Sequence, residues 1–553
     1  MKVDLTRDTF HPSKHFWRVL TQQGRVQLDA DANEQAAILL RYLQTLANDL
    51  IGPAGGPAAN LGFQISPLTP SPSPLDFQIG FGNYYVNGML CQADFRPVAI
   101  IPVPGNVPNV VHVENWSADF DAKTIPYYEV FDDAAGPAFD PTMVQITNPN
   151  AATNQITIAN LPPEIESAVN PKLRRIITYL HQPDYVFSTT QGAVSPPPLP
   201  TTGFGQIYLD VWERAITYVE DDSIREVALG GPDTSARTKL VWQVKWQQSN
   251  NGGADGPPCG TPPPALERGF LQAQAKQTSK STNPCIINPN ASYTGPENQL
   301  YRVEINRGGA AGSDVVNSAT FKWSRENGSV VYPIVSGGGT PVVVVESLGR
   351  DDRYGLVEGN LVEAQDDRSV LLNLPGRLLP VQSIDSTAMS VTLGGTPDAN
   401  VGNDSTLSPL LRRWDQKAGD PDEGGLTLAG DNAALVQEGV WLTLEDGVQI
   451  RFQPAAAVAA ETGQVGHEYI TGDFWLIPAR TATGDVEWPK VLDAQGKPET
   501  DAQGNIIPVA LPPHGITHYF APLAVVGFSP NGMSVVTDCR SSFPPAAVPV
   551  RSQ

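Results

Sequence analysis

Glycine and proline punctuate this chain throughout, with 50 of one and 51 of the other in 553 residues. Proline removes a backbone donor and clashes inside a helix, and glycine loses the most entropy there, so few long helices are expected. Many short extended segments joined by turns remain, which is the pattern of an all-β architecture. A chain this long reads as several domains and can bury large cores without metals or disulfides.

The one convincing long helix lies near the start. Asp31 and Glu34 form a capping-box-like pair, and Asp29 and Asp31 suit the positive end of a helix. Ala36, Leu39, Leu40, Leu43, Leu46, Ala47 and Leu50 then recur at helical spacing, with Ile38 and Tyr42 widening the stripe, and Gly52-Pro53 stops it. So broad an apolar stripe must pack against its own domain or a neighbouring chain. Leu39, Leu40, Tyr42, Leu43, Leu46 and Leu50 are therefore the candidate partner-binding residues.

Beyond the proline-rich run Ser66–Pro74 the pattern turns to strands. Asn87-Gly88 and Asp446-Gly447 are hairpin signals, and Glu326-Asn327-Gly328-Ser329 is a further tight turn. Ile207, Leu209 and Val211 alternate with Tyr208, Asp210 and Trp212, while Leu240, Trp242, Val244 and Trp246 occupy every second place, as in half-buried antiparallel strands. A long loop is expected over roughly 249 to 297, and short strands follow in a row from 356 to 393. Asp493-Ala494-Gln495-Gly496 recurs as Asp501-Ala502-Gln503-Gly504, a pair of turns. The fold class is mainly β, with several antiparallel β-sandwich or barrel modules and one long N-terminal α-helix. The expected division is an arm and helix over 1–65, a β module over 76–190, a β-sandwich core over 201–345, a small barrel over 346–400 and a C-terminal β module over 401–553.

A net charge of −22 repels phosphate backbones, and no basic run offsets it, which argues against nucleic acid or anionic membrane as partner. Cys91, Cys259, Cys285 and Cys539 are too few and scattered for a disulfide framework; only Cys259 and Cys285 flank one loop and invite a pairing, with ordinary free thiols the simpler account. The charged start is no secretory signal, and no apolar run is long enough to span a membrane, so a cytoplasmic location is expected.

Catalytic chemistry is sought and mostly not found. No nucleophile elbow, phosphate loop or dinucleotide fingerprint appears among the residues. His514 with His518, and His11 with His15, are spaced four apart, but the first pair lies among prolines and neither has neighbouring ligands to complete a metal site. Asp351-Asp352, Asp366-Asp367, Asp493 and Asp501 invite a calcium reading, with solvated turns the simpler account. Asp210 with Glu213, and Glu445-Asp446, are the carboxylates a glycosidase would need, although such pairs arise by chance in an acidic chain. The tryptophans fall mostly at inward-compatible strand positions. No catalytic residue, cofactor or metal is assigned, and the chain is not expected to be an enzyme.

Several phrases carry a resemblance. Asp4-Leu5-Thr6-Arg7-Asp8-Thr9-Phe10 leads through Arg18–Asp31 to Asn33-Glu34-Gln35. Later come Tyr208–Arg214, Phe321–Gly328, Gly472–Arg480, His518–Leu523 and Asp538-Cys539-Arg540. Together they resemble an uncharacterised bacterial family of unknown function associated with contractile, phage-tail-like injection systems. Ala32 departs from the tryptophan expected there, which puts one packing contact in doubt. The opening also resembles phage baseplate proteins, in which a helix carries an Asn-Glu-Gln-like phrase. The resemblance implies a multi-copy baseplate or tail accessory, a homo-oligomer in contact with other tail subunits and, through the particle, with a cell surface. The alternative is a carbohydrate-binding or glycan-cleaving β protein.

Overall fold

The computed structural model describes residues 2–544 apart from 70, 73, 104–108, 117–126, 133, 135–140, 186–195, 250–257, 261–267, 277–291, 350–354, 399–400 and 458–467. Antiparallel β-structure dominates, as the turn-rich composition implies, and the chain divides into two compact units of discontinuous sequence.

One unit comprises residues 1–42, 212–241 and 264–518. Its main core lies between a five-stranded sheet centred on Gln299–Arg307, flanked by Thr320–Ser324 and Phe474–Arg480, and a three-stranded sheet built on Val448–Phe452. Aromatic side chains fill it. Phe452 meets Tyr469 and Trp475 edge-on, with ring centroids 5.4 and 5.9 Å apart. The hairpin turn at Asp446-Gly447 forms as its residues require, both at positive φ (47° and 83°).

The same unit holds a closed six-stranded barrel in the order Val331–Ser336, Val342–Val345, Ser390–Leu393, Leu378–Asp385, Leu361–Gln365 and Leu410–Trp414. It therefore draws strands from both sides of the expected 346–400 module, because closure needs edges that only Val331–Ser336 and Leu410–Trp414 supply. Inside the expected loop over 249 to 297, Leu271–Ala275 is a strand, paired along its length with Val448–Phe452.

The other unit comprises residues 43–211, 242–263 and 519–553. It too contains a closed six-stranded barrel, ordered Gln155–Ala159, Val110–Val113, Val98–Pro102, Pro171–Arg175, Tyr128–Asp132 and Thr142–Asn150. The C-terminal segment forms no module of its own with what precedes it. Tyr519–Ser529 pairs antiparallel with Gly203–Ile216, from Gly203 opposite Phe528 to Val211 opposite Tyr519, with a register shift between Ile207 and Tyr208. The strands expected to be half-buried are covered on both faces at their middles, since Val241 and Gln243 are as buried as Trp242 and Val244. Gln243 tolerates this because its amide donates to the Asp184 carbonyl at 2.8 Å.

Cys259 is bonded to Cys539 across 280 residues of sequence, not to Cys285, which lies outside the described residues. Proximity in sequence misled here; strand pairing between distant segments sets which thiols meet. Cys91 is free, and burial pushes its thiol up to about 12.

Candidate docking surface

The helix expected near the start forms as α1, Asp29–Ile51. Asp29 and Asp31 occupy its first turn, where carboxylates favour the exposed N–H groups. Gly52 ends it at φ 89°, its N–H reaching the Asn48 carbonyl at 2.8 Å, and Pro53 follows. The division between the two units falls within this helix, after Tyr42.

What α1 does with its apolar stripe is the reverse of the usual amphipathic arrangement. Its buried residues are Ala30 and Ile38, and Ala37, Gln44 and Asn48 on the same side are partly covered. On the opposite side Leu39 is 53%, Leu43 59%, Leu46 43% and Leu50 77% exposed, with Leu40 and Tyr42 beside them at 46% and 48%. All the partner-binding residues expected from the sequence thus lie on the solvent side. The helix is seated by its small and polar residues. The tip of the Asn87-Gly88 hairpin makes one such seat: a Cβ on Gly88 would lie 2.2 Å from the Gln44 carbonyl oxygen.

An extended arm lies alongside. Thr6 donates to the Asp29 carboxylate from its N–H (2.9 Å) and its hydroxyl (2.5 Å), and the Thr9 hydroxyl donates to Glu34 at 2.7 Å. The Val19 N–H reaches the Gln35 side-chain oxygen at 2.8 Å, and Trp17 stands edge-on to Tyr42 at 5.2 Å. These contacts leave Phe16, Trp17, Leu20 and Val26 of the arm exposed. Sequence reasoning missed them, because they follow neither a helical nor a strand period. The one signal was several large apolar residues in an otherwise polar stretch.

The arm's root is fixed more firmly. Lys2 Nζ lies 2.8 Å from Glu304 Oε1, while Arg302 Nε reaches Oε2 of the same carboxylate at 2.6 Å. The Asn327 side-chain amide donates to the Val3 carbonyl at 2.8 Å, and Arg7 pairs with Glu487 at 2.9 Å.

The residues weighed for chemistry are placed otherwise. Asp210 is buried and neutralised by Lys245 at 2.7 Å. Glu445 is held by Arg325 at 2.7 Å and accepts from the Tyr301 hydroxyl at 3.1 Å. His514 stacks on Phe474 and His518 on Trp212, so each imidazole faces an aromatic ring. His11 and His15 flank a single 3-10 turn, Pro12–Lys14. Asp493 and Asp501 each accept two backbone N–H groups of their own turns. Asp366 caps the short helix Asp367–Leu371, and Asp351-Asp352 lie outside the described residues. Among the described residues no group of three or more His, Cys, Asp or Glu side chains is placed to hold a metal ion.

The chain matches one protein family, described as a family of unknown function (DUF6519), over residues 1–110, 181–255 and 266–551. No curated protein and no solved structure matches it.

Proposed function

We propose that this chain, which belongs to the DUF6519 family of unknown function, is a structural subunit of a contractile, phage-tail-like injection particle. It docks on other subunits through α1 and the arm. The observation that carries this reading is the outward apolar stripe of α1. Leu39, Leu43, Leu46 and Leu50 leave 43–77% of their surface in water along one side of a single helix, and contiguous exposed apolar surface of this kind marks an interaction site. Leaving so much apolar surface in water is unfavourable, and burial against a partner relieves it. The injection-particle context rests on the resemblance of the sequence phrases to that class of family. No helix among the described residues is long and apolar enough to cross a membrane, which fits docking on protein better than insertion of a helix into lipid.

The rival carbohydrate reading draws on the tryptophans. Trp212, Trp242, Trp323, Trp414, Trp475 and Trp488 are buried and offer no ring face to a sugar, so its support comes down to rings such as the half-buried Trp246 and Trp441 and the exposed Trp17 of the arm.

Removing residues 1–60 is a poor test, because it also strips Lys2 from the buried Glu304. Replacing Leu39 and Leu46 by Glu spares that contact. Particles purified from cells carrying this variant should lack the protein, whereas those from the wild type retain it. A wild-type protein that never co-sediments with sheath and tube proteins would defeat the proposal.

A further inference from the structure

The stripe on α1 has a pattern that names its occupant. Ala32, Ala36, Leu39, Leu43, Leu46 and Leu50 follow one another at steps of four, three, four, three and four. This is the alternation by which side chains of one helix interlock with those of another. The seam itself carries no charge, and of the residues that flank it Leu40, Tyr42 and Ala47 are uncharged and Asp49 alone is charged, while Glu34 and Arg41 lie on the far side of the helix. A copy turned end to end sets Asp49 level with the uncharged Asn33, so on a chain of net charge −22 the seam is a surface on which two identical copies meet with little repulsion.

The seam is also symmetric about residue 41, and its composition is not. Its small residues stand at the start and its leucines at the end. A copy turned end to end sets Ala32 against Leu50, Ala36 against Leu46 and Leu39 against Leu43, so each outer layer fits a leucine over an alanine and the two central layers pair leucines. Side-by-side copies running the same way would pair Ala with Ala at one end and Leu with Leu at the other, and would splay. The end-to-end arrangement is two-fold symmetric, the commonest symmetry of homo-oligomers, and brings Tyr42 with its edge-on Trp17 beside the axis.

We propose that the seam of α1 binds a second copy of this chain, as an antiparallel helix pair in which Ala36 meets Leu46 of the other copy. This rests on the reading of the stripe as a docking face and specifies the partner.

Sedimentation equilibrium of the full chain should show a dimer at micromolar concentration. Leu43 is 59% exposed, so Leu43→Glu leaves the core intact. It sets an unpaired carboxylate in both central layers and should raise the dimer dissociation constant by at least about 10-fold, with an unchanged near-ultraviolet circular dichroism spectrum. In a Cys285→Ser background, the double variant Ala36→Cys/Leu46→Cys should form a covalent dimer on mild oxidation, and Leu46→Cys alone should not. Self-linking of Leu46→Cys overturns the antiparallel register, and a dimer unaffected by Leu43→Glu overturns the seam. A monomeric wild type that still co-sediments with particles overturns self-pairing while leaving the wider docking reading standing; loss of both defeats both.

Discussion

The indole N–H of Trp414 donates to Glu363 Oε2 at 2.8 Å, the same oxygen that accepts the Lys322 ammonium at 2.7 Å. Lys322 also approaches Glu304 Oε1 at 3.7 Å, the oxygen that holds Lys2. Both lysines lie over the Trp414 ring, 4.6 and 5.5 Å from its centre. The arm thus ends in a network of buried charges in which Glu304 serves Lys2, Arg302 and Lys322, and Lys322 links it to Glu363.

Glu304→Gln leaves Lys2, Arg302 and Lys322 facing one another without their shared anion. A loss of about 3–5 kcal/mol is expected, the usual effect of breaking a buried pair from one side. Lys2→Met leaves Glu304 with its other two cations and should cost only about 1 kcal/mol. Urea midpoints of the two variants check the order.

The network also sets the direction of the pH dependence. Burial opposes ionisation of Glu304 and Glu363, but the neighbouring cations overcome it and hold both carboxyls below the ordinary 4.5. Their folded pKa values lie below the unfolded ones, so their stabilisation is complete above about pH 4.5 and is lost on acidification. Lys2 acts at the other end of the scale. Burial, only partly offset by Glu304, pushes its ammonium from 10.5 down to about 8. The folded state then binds fewer protons than the unfolded state between those values, so this group adds stability as pH rises from about 8 to about 10.5. Thermal midpoints of Glu304→Gln should lose part of the acid dependence, the rest remaining with Glu363, and those of Lys2→Met should lose the alkaline gain.

Above that range buried phenols oppose Lys2. Desolvation raises Tyr301 and Tyr469 above 10.0, with Glu445 and Glu438 adding to it. A folded pKa above the unfolded value means that stability falls as pH climbs past about 10. Ultraviolet titration should show these phenolates appearing together with unfolding, and Tyr301→Phe should delay it. Smooth ionisation of all tyrosines in a folded protein would contradict this.

Gly88→Ala tests how α1 is seated. The residue sits at φ 75°, and its new Cβ would meet the Gln44 carbonyl oxygen at 2.2 Å. Turn strain and the displaced helix together should cost about 1–3 kcal/mol. Hydrogen exchange should quicken in the 44–51 end of α1, while the Asp446-Gly447 hairpin stays unchanged.

Features governed by neighbours in sequence were legible. Asn87-Gly88 and Asp446-Gly447 supply the positive φ angles their turns need, and α1 starts at its aspartates and stops at Gly52-Pro53. Features governed by distant partners were not. Leu271–Ala275 alternates apolar residues with glutamine between Gly/Pro-rich stretches, and only its pairing with Val448–Phe452 makes it a strand. Gln243 is polar and wholly buried, because a carbonyl 59 residues away accepts its proton. The barrel closed by Leu410–Trp414 and the Lys2–Glu304 contact are likewise matters of topology. For the docking surface, periodicity located the stripe on α1. That the stripe faces outward depends on which side the rest of the chain covers, which periodicity does not specify.

The bond between Cys259 and Cys539 makes a covalent ring of everything between them. Residues 264–518, the longest segment of one unit, fall between the two cysteines in sequence. A protease that severs this segment once therefore frees nothing: both ends stay tethered through sulfur, and even in denaturant two fragments part only after a reductant opens that link.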